Sequence, residues 1–187
     1  MNWLVANALM KLPFVSDMLS WLGGGPASKE YMISSMARNE NIGFLPGGFE
    51  EATLFENGKH VVYIQNRKGF MKYALQHGYK VYPVYTFGEE MTYTTIKFAS
   101  NEFRLWLNKH HIPAVLFCGY WWCFFLPIAK VDLTTVIGEP MVLPTIKEPS
   151  MEQVEEYHAA YVTALTALFE RNKEKYAYDK EAVLFLY

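Results

Sequence analysis

Two short segments have residue types and spacing that could do chemistry. Pro46-Gly47-Gly48-Phe49-Glu50-Glu51 places two glycines directly after a strand-like run and two carboxylates just beyond them. Glycines there let the backbone turn sharply and approach a ligand, and the N–H groups of such a loop can face a phosphate or a developing oxyanion. An ordinary turn followed by solvated glutamates explains the same letters. The second segment, Asn66-Arg67-Lys68-Gly69-Phe70, sets two cations at the start of a helix. The helix dipole disfavours positive charge there, which invites a role in holding anions such as the phosphates of coenzyme A; two long side chains in water are the plain alternative.

Other chemistries find no support. The five histidines are scattered at 60, 77, 110, 111 and 158, and none is followed five residues later by an aspartate. His158 falls on an apolar stripe, where a core histidine is expected. No phosphate-binding Walker loop, dinucleotide fingerprint, serine-hydrolase elbow or His-Glu-x-x-His motif occurs. Cys118 and Cys123 form neither a disulfide framework nor a zinc site, so no metal is expected and a reducing compartment is the default.

The elements that must position these residues alternate between helix and strand, which predicts an α/β fold. Residues 2–22 read as one or two amphipathic helices hinged at Pro13 and ended by Gly23-Gly24-Gly25-Pro26. Residues 27–39 read as a helix capped by Ser28, and 41–45 as a strand running into Pro46-Gly47-Gly48. A strand over 60–65, a helix over 68–77 stopped by Gly78 and a strand over 81–87 follow. A helix over 101–109 and a strand over 133–137 come next. The last helix opens on the capping-box pair Ser150 and Gln153, with Val154, Tyr157, Tyr161, Ala164, Leu165 and Leu168 as its apolar stripe.

Composition sets the outer limits. With 187 residues, one domain is expected, and about half the residues are hydrophobic, with 17% aromatic. That aromatic share suits a greasy cavity, a membrane interface or a well-filled core. A net charge of −2 gives no electrostatic case for nucleic acid. No secretory signal is expected, because residues 1–22 lack a basic lead and a small-residue cleavage site. Residues 1–22 are interrupted by Lys11, Pro13 and Asp17 and residues 112–129 by Pro113, Gly119 and Pro127, so each apolar segment is expected to be buried or to lie at a bilayer surface rather than to cross it. For 112–129 a core strand and loop is the first reading and membrane contact the alternative.

Several blocks, in order, carry a resemblance. Gly47-Gly48-Phe49-Glu50-Glu51, Asn66-Arg67-Lys68-Gly69-Phe70, Ala74-Leu75-Gln76-His77-Gly78 and Pro83-Val84-Tyr85-Thr86-Phe87-Gly88-Glu89 are similar to the type-2 diacylglycerol acyltransferase family. Residues 134–140 and 157–161 resemble its C-terminal pattern, and Gly25-Pro26-Ala27-Ser28-Lys29 its Gly-x-x-Pro-x-Ser-Arg block, with Lys29 in place of arginine. The resemblance implies a glycerolipid-acyltransferase-like mixed sheet flanked by helices. It also implies an endoplasmic-reticulum membrane enzyme that moves a fatty acyl group from acyl-CoA to diacylglycerol. Monoacylglycerol and wax-alcohol acceptors, or a non-catalytic protein that binds acyl-CoA or lipid at a membrane surface, are the alternatives. Acyl-CoA is then a co-substrate and no cofactor is required; a homo-oligomer stays open.

Residue by residue, Gly47, Gly48 and Glu51 match the supporting loop. Arg67, Lys68, Gly69 and Phe70, with Phe87, Gly88 and Glu89, match the substrate-binding blocks. On that match, Arg67 and Lys68 are expected to meet coenzyme A phosphates and Glu51 to brace the active-site loop. The general-base histidine belongs to a His-Pro-His-Gly motif that the family carries upstream, together with a hydrophobic hairpin, and none of the five histidines here stands in that context. The chain is therefore expected to be the C-terminal part of a longer enzyme, a chain that has lost catalysis being the alternative.

Overall fold

The structure is a computed structural model that describes residues 2–7, 9–96, 98–110, 114–124 and 126–187. The chain begins with strand β1 (Asn2–Val5), a 3₁₀ turn (Leu9–Lys11), helix α1 (Val15–Trp21), β2 (Gly24–Pro26), α2 (Lys29–Ala37) and β3 (Ile42–Gly43). Helix α3 (Gly48–Leu54), β4 (His60–Val62), α4 (Gly69–His77), β5 (Lys80–Val81) and β6 (Val84–Phe87) follow. After a 3₁₀ turn (Glu89–Met91) come β7 (Thr94–Ile96), α5 (Asn101–Lys109), β8 (Leu116–Cys118), β9 (Thr134–Ile137), β10 (Met141–Val142), α6 (Met151–Tyr176) and β11 (Leu184–Leu186). The fold is α/β, with parallel pairing in β2-β1-β3 and β4-β11 and antiparallel pairing in β6-β9, β5-β10 and β7-β8.

Helix α6 organises the interior. Ser150 Oγ accepts from Gln153 N at 3.2 Å while Gln153 Oε1 accepts from Ser150 N at 2.9 Å, so the expected capping box is formed. Its buried face is Val154, His158, Tyr161, Leu165, Leu168 and Phe169. Val154, Tyr161 and Leu165 join Ile64, Met71, Ala74, Leu75 and Leu143 in one core cluster. Phe169 joins Phe87, Ala177 and Ala182 in a second. Each fully buried large side chain stabilises by roughly 1.5–3 kcal/mol through area removed from water, so this face holds the fold together.

Three sequence expectations are corrected. Residues 2–5 form a strand, not a helix, because Trp3 and Val5 find ladder partners in β2 and β3, and pairing overrides a local helical pattern. For the same reason Gly24-Gly25-Pro26 is a strand rather than a helix stop. The 112–129 segment contains β8 but not a core strand: Trp121 is 92% exposed and Trp122 62%, with Leu116, Phe117, Phe124 and Leu126 also exposed. Ile112, Pro113 and Phe125 of that segment, like His111 and Met1, lie outside the described residues. Among the described residues no helix is long and apolar enough to cross a membrane.

Candidate functional site

Two helix starts meet at an open cavity of about 460 Å³. Helix α2 begins beneath Ser28, whose hydroxyl accepts from Tyr31 N at 3.2 Å. Helix α4 begins at Gly69 after Lys68, whose side chain makes no capping hydrogen bond. Ala27, Ser28 and Lys29 from the first, and Asn66, Arg67, Gly69 and Phe70 from the second, line the cavity with Phe44 and Tyr73. Phe70 sets its edge against Phe44 and against Tyr161, each at 5.4 Å between ring centres, which fixes the apolar wall.

The cations divide between two roles. Arg67 pairs with Glu50 and lies 5.4 Å over the Tyr63 ring, leaving its Nε buried without a hydrogen-bond partner. Lys29 stands 6.0 Å over the Tyr73 ring and faces no carboxylate among the described residues. Lys68 turns away: its Nζ lies 2.7 Å from Glu155 Oε1 on α6, and it does not line the cavity. Glu50 and Glu155 thus offset the positive charge that the start of α4 disfavours.

Gly47-Gly48 opens α3 instead of closing a turn. The Glu51 side chain folds back across Gly47 so closely that a Cβ there would strike its carboxylate, so only glycine fits. Glu51 Oε2 accepts from Tyr63 N at 2.8 Å, tying α3 to the chain that leads into Asn66 and Arg67. Burial pushes the Glu51 carboxyl up to about 7 against the lowering effect of that N–H, and the charge of Glu89 adds to the rise.

A separate polar group lies inside the core. His60 Nδ1 is 2.8 Å from Tyr85 Oη and 3.7 Å from Glu90 Oε2. Burial holds His60 below its ordinary value, with Glu90 and Asp179 pulling the other way. The Tyr85 hydroxyl is raised by burial and by Glu90, Glu89 and Glu51. Burial likewise raises Tyr161 to about 12, with Glu51 contributing. Glu90 Oε2 accepts from Gly88 N at 3.0 Å, while its Oε1 is buried without a hydrogen-bond partner.

Gly88 has φ 92°, and a Cβ would meet the Asp132 carbonyl, so the Phe87-Gly88-Glu89 block needs its glycine for shape. Phe87 is fully buried and stacks on Phe169 at 5.5 Å, away from the cavity. Glu89 reaches solvent, yet surrounding protein raises its carboxyl, and Glu90 raises it further.

The structure therefore gathers Arg67, Gly69 and Phe70 at the cavity, with Glu51 bracing the approach and Glu89 as its electrostatic neighbour. It leaves Lys68 and Phe87 elsewhere. Sequence reasoning gave Lys29 no binding role, although its place in the Pro-x-Ser-Arg-like block was a signal. It also missed the His60–Tyr85–Glu90 group, whose members lie on separate elements with no local pattern linking them. Among the described residues no cluster of three or more His, Cys, Asp or Glu side chains could hold a metal ion.

Comparisons with known proteins give the chain a family. The family model described as diacylglycerol acyltransferase matches residues 1–187. The chain is 34% identical over 178 residues to diacylglycerol O-acyltransferase 2 of Xenopus tropicalis, covering 88% of this chain and 49% of that protein. It is 34% identical over 187 residues to human 2-acylglycerol O-acyltransferase 3, covering 92% and 54%. Against diacylglycerol O-acyltransferase 2 of Bos taurus the figures are 30% over 190 residues, 93% and 52%. The chain thus spans about half the length of the curated relatives it matches. No solved structure matches it. With its whole length covered by the family model, this chain belongs to the diacylglycerol acyltransferase family.

Proposed function

We propose that these residues form the acyl-CoA-holding part of an O-acyltransferase that transfers a fatty acyl group to diacylglycerol, giving triacylglycerol, at the endoplasmic-reticulum membrane. The carrying observation is that two family blocks far apart in sequence, Ala27-Ser28-Lys29 and Asn66-Arg67-Gly69-Phe70, line one cavity. Its cations suit the phosphates of acyl-CoA, and its aromatic wall suits an apolar or ring-bearing neighbour. The exposed tryptophans at 121 and 122 suit contact with a membrane interface.

In the reaction, a base takes the proton of the acceptor hydroxyl as its oxygen attacks the thioester carbonyl. The tetrahedral intermediate then collapses, the carbon–sulfur bond breaks, and the coenzyme A thiolate leaves and takes up a proton. The residues described here bind and orient: Arg67 holds phosphate, and Glu51 fixes the strand end that presents it. The base itself is assigned to a His-Pro-His-Gly histidine outside these 187 residues, which contain no such motif. Neither a metal nor a cofactor is needed for these steps. The equal identity to a 2-acylglycerol acyltransferase supports monoacylglycerol as the alternative acceptor.

The test uses the longest reading frame that encodes this chain, expressed in microsomes and given labelled acyl-CoA with diacylglycerol. Triacylglycerol is expected from that frame, and none from the 187 residues alone. Arg67→Ala is expected to raise KM for acyl-CoA about tenfold or more, as for loss of a charge-assisted hydrogen bond. An unchanged KM would remove Arg67 from the substrate site.

A further inference from the structure

We infer that the cavity between α2 and α4 takes the nucleotide end of acyl-CoA, with Lys29 and Arg67 gripping its 3′-phosphate and the aromatic wall receiving the adenine. This rests on acyl-CoA being the donor and adds to it a place, an orientation and a residue, Lys29, that the family pattern writes as arginine.

Charge comes first. Two cations from distant blocks line one cavity, and they are differently engaged. Arg67 already shares charge with Glu50 through Nη2, and its Nε is buried with no hydrogen-bond partner. Lys29 is exposed, faces no carboxylate among the described residues and stands 6.0 Å over the Tyr73 ring. A phosphate monoester, close to dianionic at neutral pH, would complete both. Lys68, the other cation of the basic block, is committed to Glu155, which leaves Lys29 to do what the sequence alone gives to Lys68.

Backbone geometry agrees with that assignment without carrying it. The α2 and α4 starts both line the cavity, and α4 opens without a side-chain cap, leaving N–H groups of its first turn for a ligand.

Shape then separates the nucleotide from the acyl chain. The cavity of about 460 Å³ is open to water and mixes cations with the Phe44, Phe70 and Tyr73 rings. An acyl chain needs closed apolar walls. A purine carrying a phosphate needs an aromatic face beside positive charge, with its sugar in water.

The experiment titrates the full 187-residue chain with adenosine 3′,5′-bisphosphate, coenzyme A, 3′-dephospho-coenzyme A and palmitoyl-CoA, against Lys29→Met and Lys29→Arg. Binding of the bisphosphate and of coenzyme A is expected to fall about tenfold in Lys29→Met and to recover in Lys29→Arg. Binding of 3′-dephospho-coenzyme A is expected to be weaker at the outset and to change little in either variant. Lys29 is exposed, so the variant chain is expected to fold, and an unchanged thermal midpoint checks this. Equal loss for coenzyme A and its 3′-dephospho form would overturn the assignment of the 3′-phosphate while leaving the donor intact. Palmitoyl-CoA binding that ignores both Lys29 and the bisphosphate would overturn the inference and spare the proposed function. No binding of any coenzyme A species would overturn both. Vesicles of phosphatidylcholine with phosphatidic acid supply the other source of phosphate; if they displace a bound probe where the bisphosphate does not, the nucleotide assignment is wrong.

Discussion

The cavity rim and the polar group inside the core use the same kinds of side chain under opposite conditions. At the rim, Lys29 is exposed and Arg67 pairs with a partly exposed Glu50, an ion pair that stabilises by only about 0–1 kcal/mol, so a ligand can replace the partner cheaply. In the core, His60, Tyr85 and Glu90 are held by one another, and deleting one leaves others buried without a partner. The family blocks straddle both regions. Arg67, Gly69 and Phe70 face the cavity, Phe87 and Gly88 belong to the interior, and Glu51 joins the two through Tyr63 N. Residues equally prominent as sequence motifs therefore divide into ligand-facing and scaffold parts.

The sharpest way to break that division is at Phe87. If its block serves the scaffold, Phe87→Ala should destabilise the fold by about 3–5 kcal/mol, since the ring is fully buried against Phe169, Tyr85 and His60. Denaturant unfolding measures this. A loss below about 1 kcal/mol combined with weakened acyl-CoA binding would move Phe87 to the ligand-facing side.

A second, smaller effect concerns Glu51, which joins the regions. Its folded carboxyl titrates at about 7, above the ordinary 4.5, so the native chain binds more protons than the unfolded chain between those values. Stability from this group is present below about pH 4.5 and is lost as pH rises towards about 7. Glu51→Gln keeps an acceptor for Tyr63 N and removes the titration. It should flatten that slope and stabilise the chain above pH 7 by about 1–2 kcal/mol, the shift being discounted for partial exposure. His60 works in the other direction, its lowered value costing stability as pH falls through its ordinary 6.5. Thermal midpoints measured from pH 4 to 9 for both chains check the sign; an unaltered slope in Glu51→Gln would place the proton elsewhere.

What the sequence makes legible follows from the range of the interactions. Helix α6 is readable because the Ser150–Gln153 box and the spacing of Val154, Tyr161 and Leu165 are local signals. The α4 helix with its Gly78 stop is readable for the same reason, as Gly78 N and Tyr79 N close onto Leu75 O and Ala74 O. Residues 2–5 are not, because only β2 and β3, brought from elsewhere, make them a strand. The short β11 escapes for the same reason, since Leu184–Leu186 pairs with residues 60–62 across most of the chain. The basic block at 66–70 is visible as a site candidate, but letters alone do not say which cation faces a ligand. Glu155 decides that by holding Lys68, and it comes from a helix far along the chain.

The smallest effect is expected at Lys68, and it sharpens the comparison most directly because Lys68 stands beside Arg67 in sequence. Its Nζ is 2.7 Å from Glu155 Oε1, with the Lys68 side chain partly and the Glu155 side chain about half exposed. Lys68→Met should cost only about 0.2–1 kcal/mol of stability and lose even that in high salt. Binding of coenzyme A should be unchanged within about twofold, against the tenfold loss expected for Lys29→Met. A loss at Lys68 matching that at Lys29 would mean that the Glu155 pair opens when ligand arrives, and that the whole basic block faces the cavity. The salt dependence of binding distinguishes the two arrangements, since a phosphate gripped by one more exposed cation loses affinity more steeply as ionic strength rises.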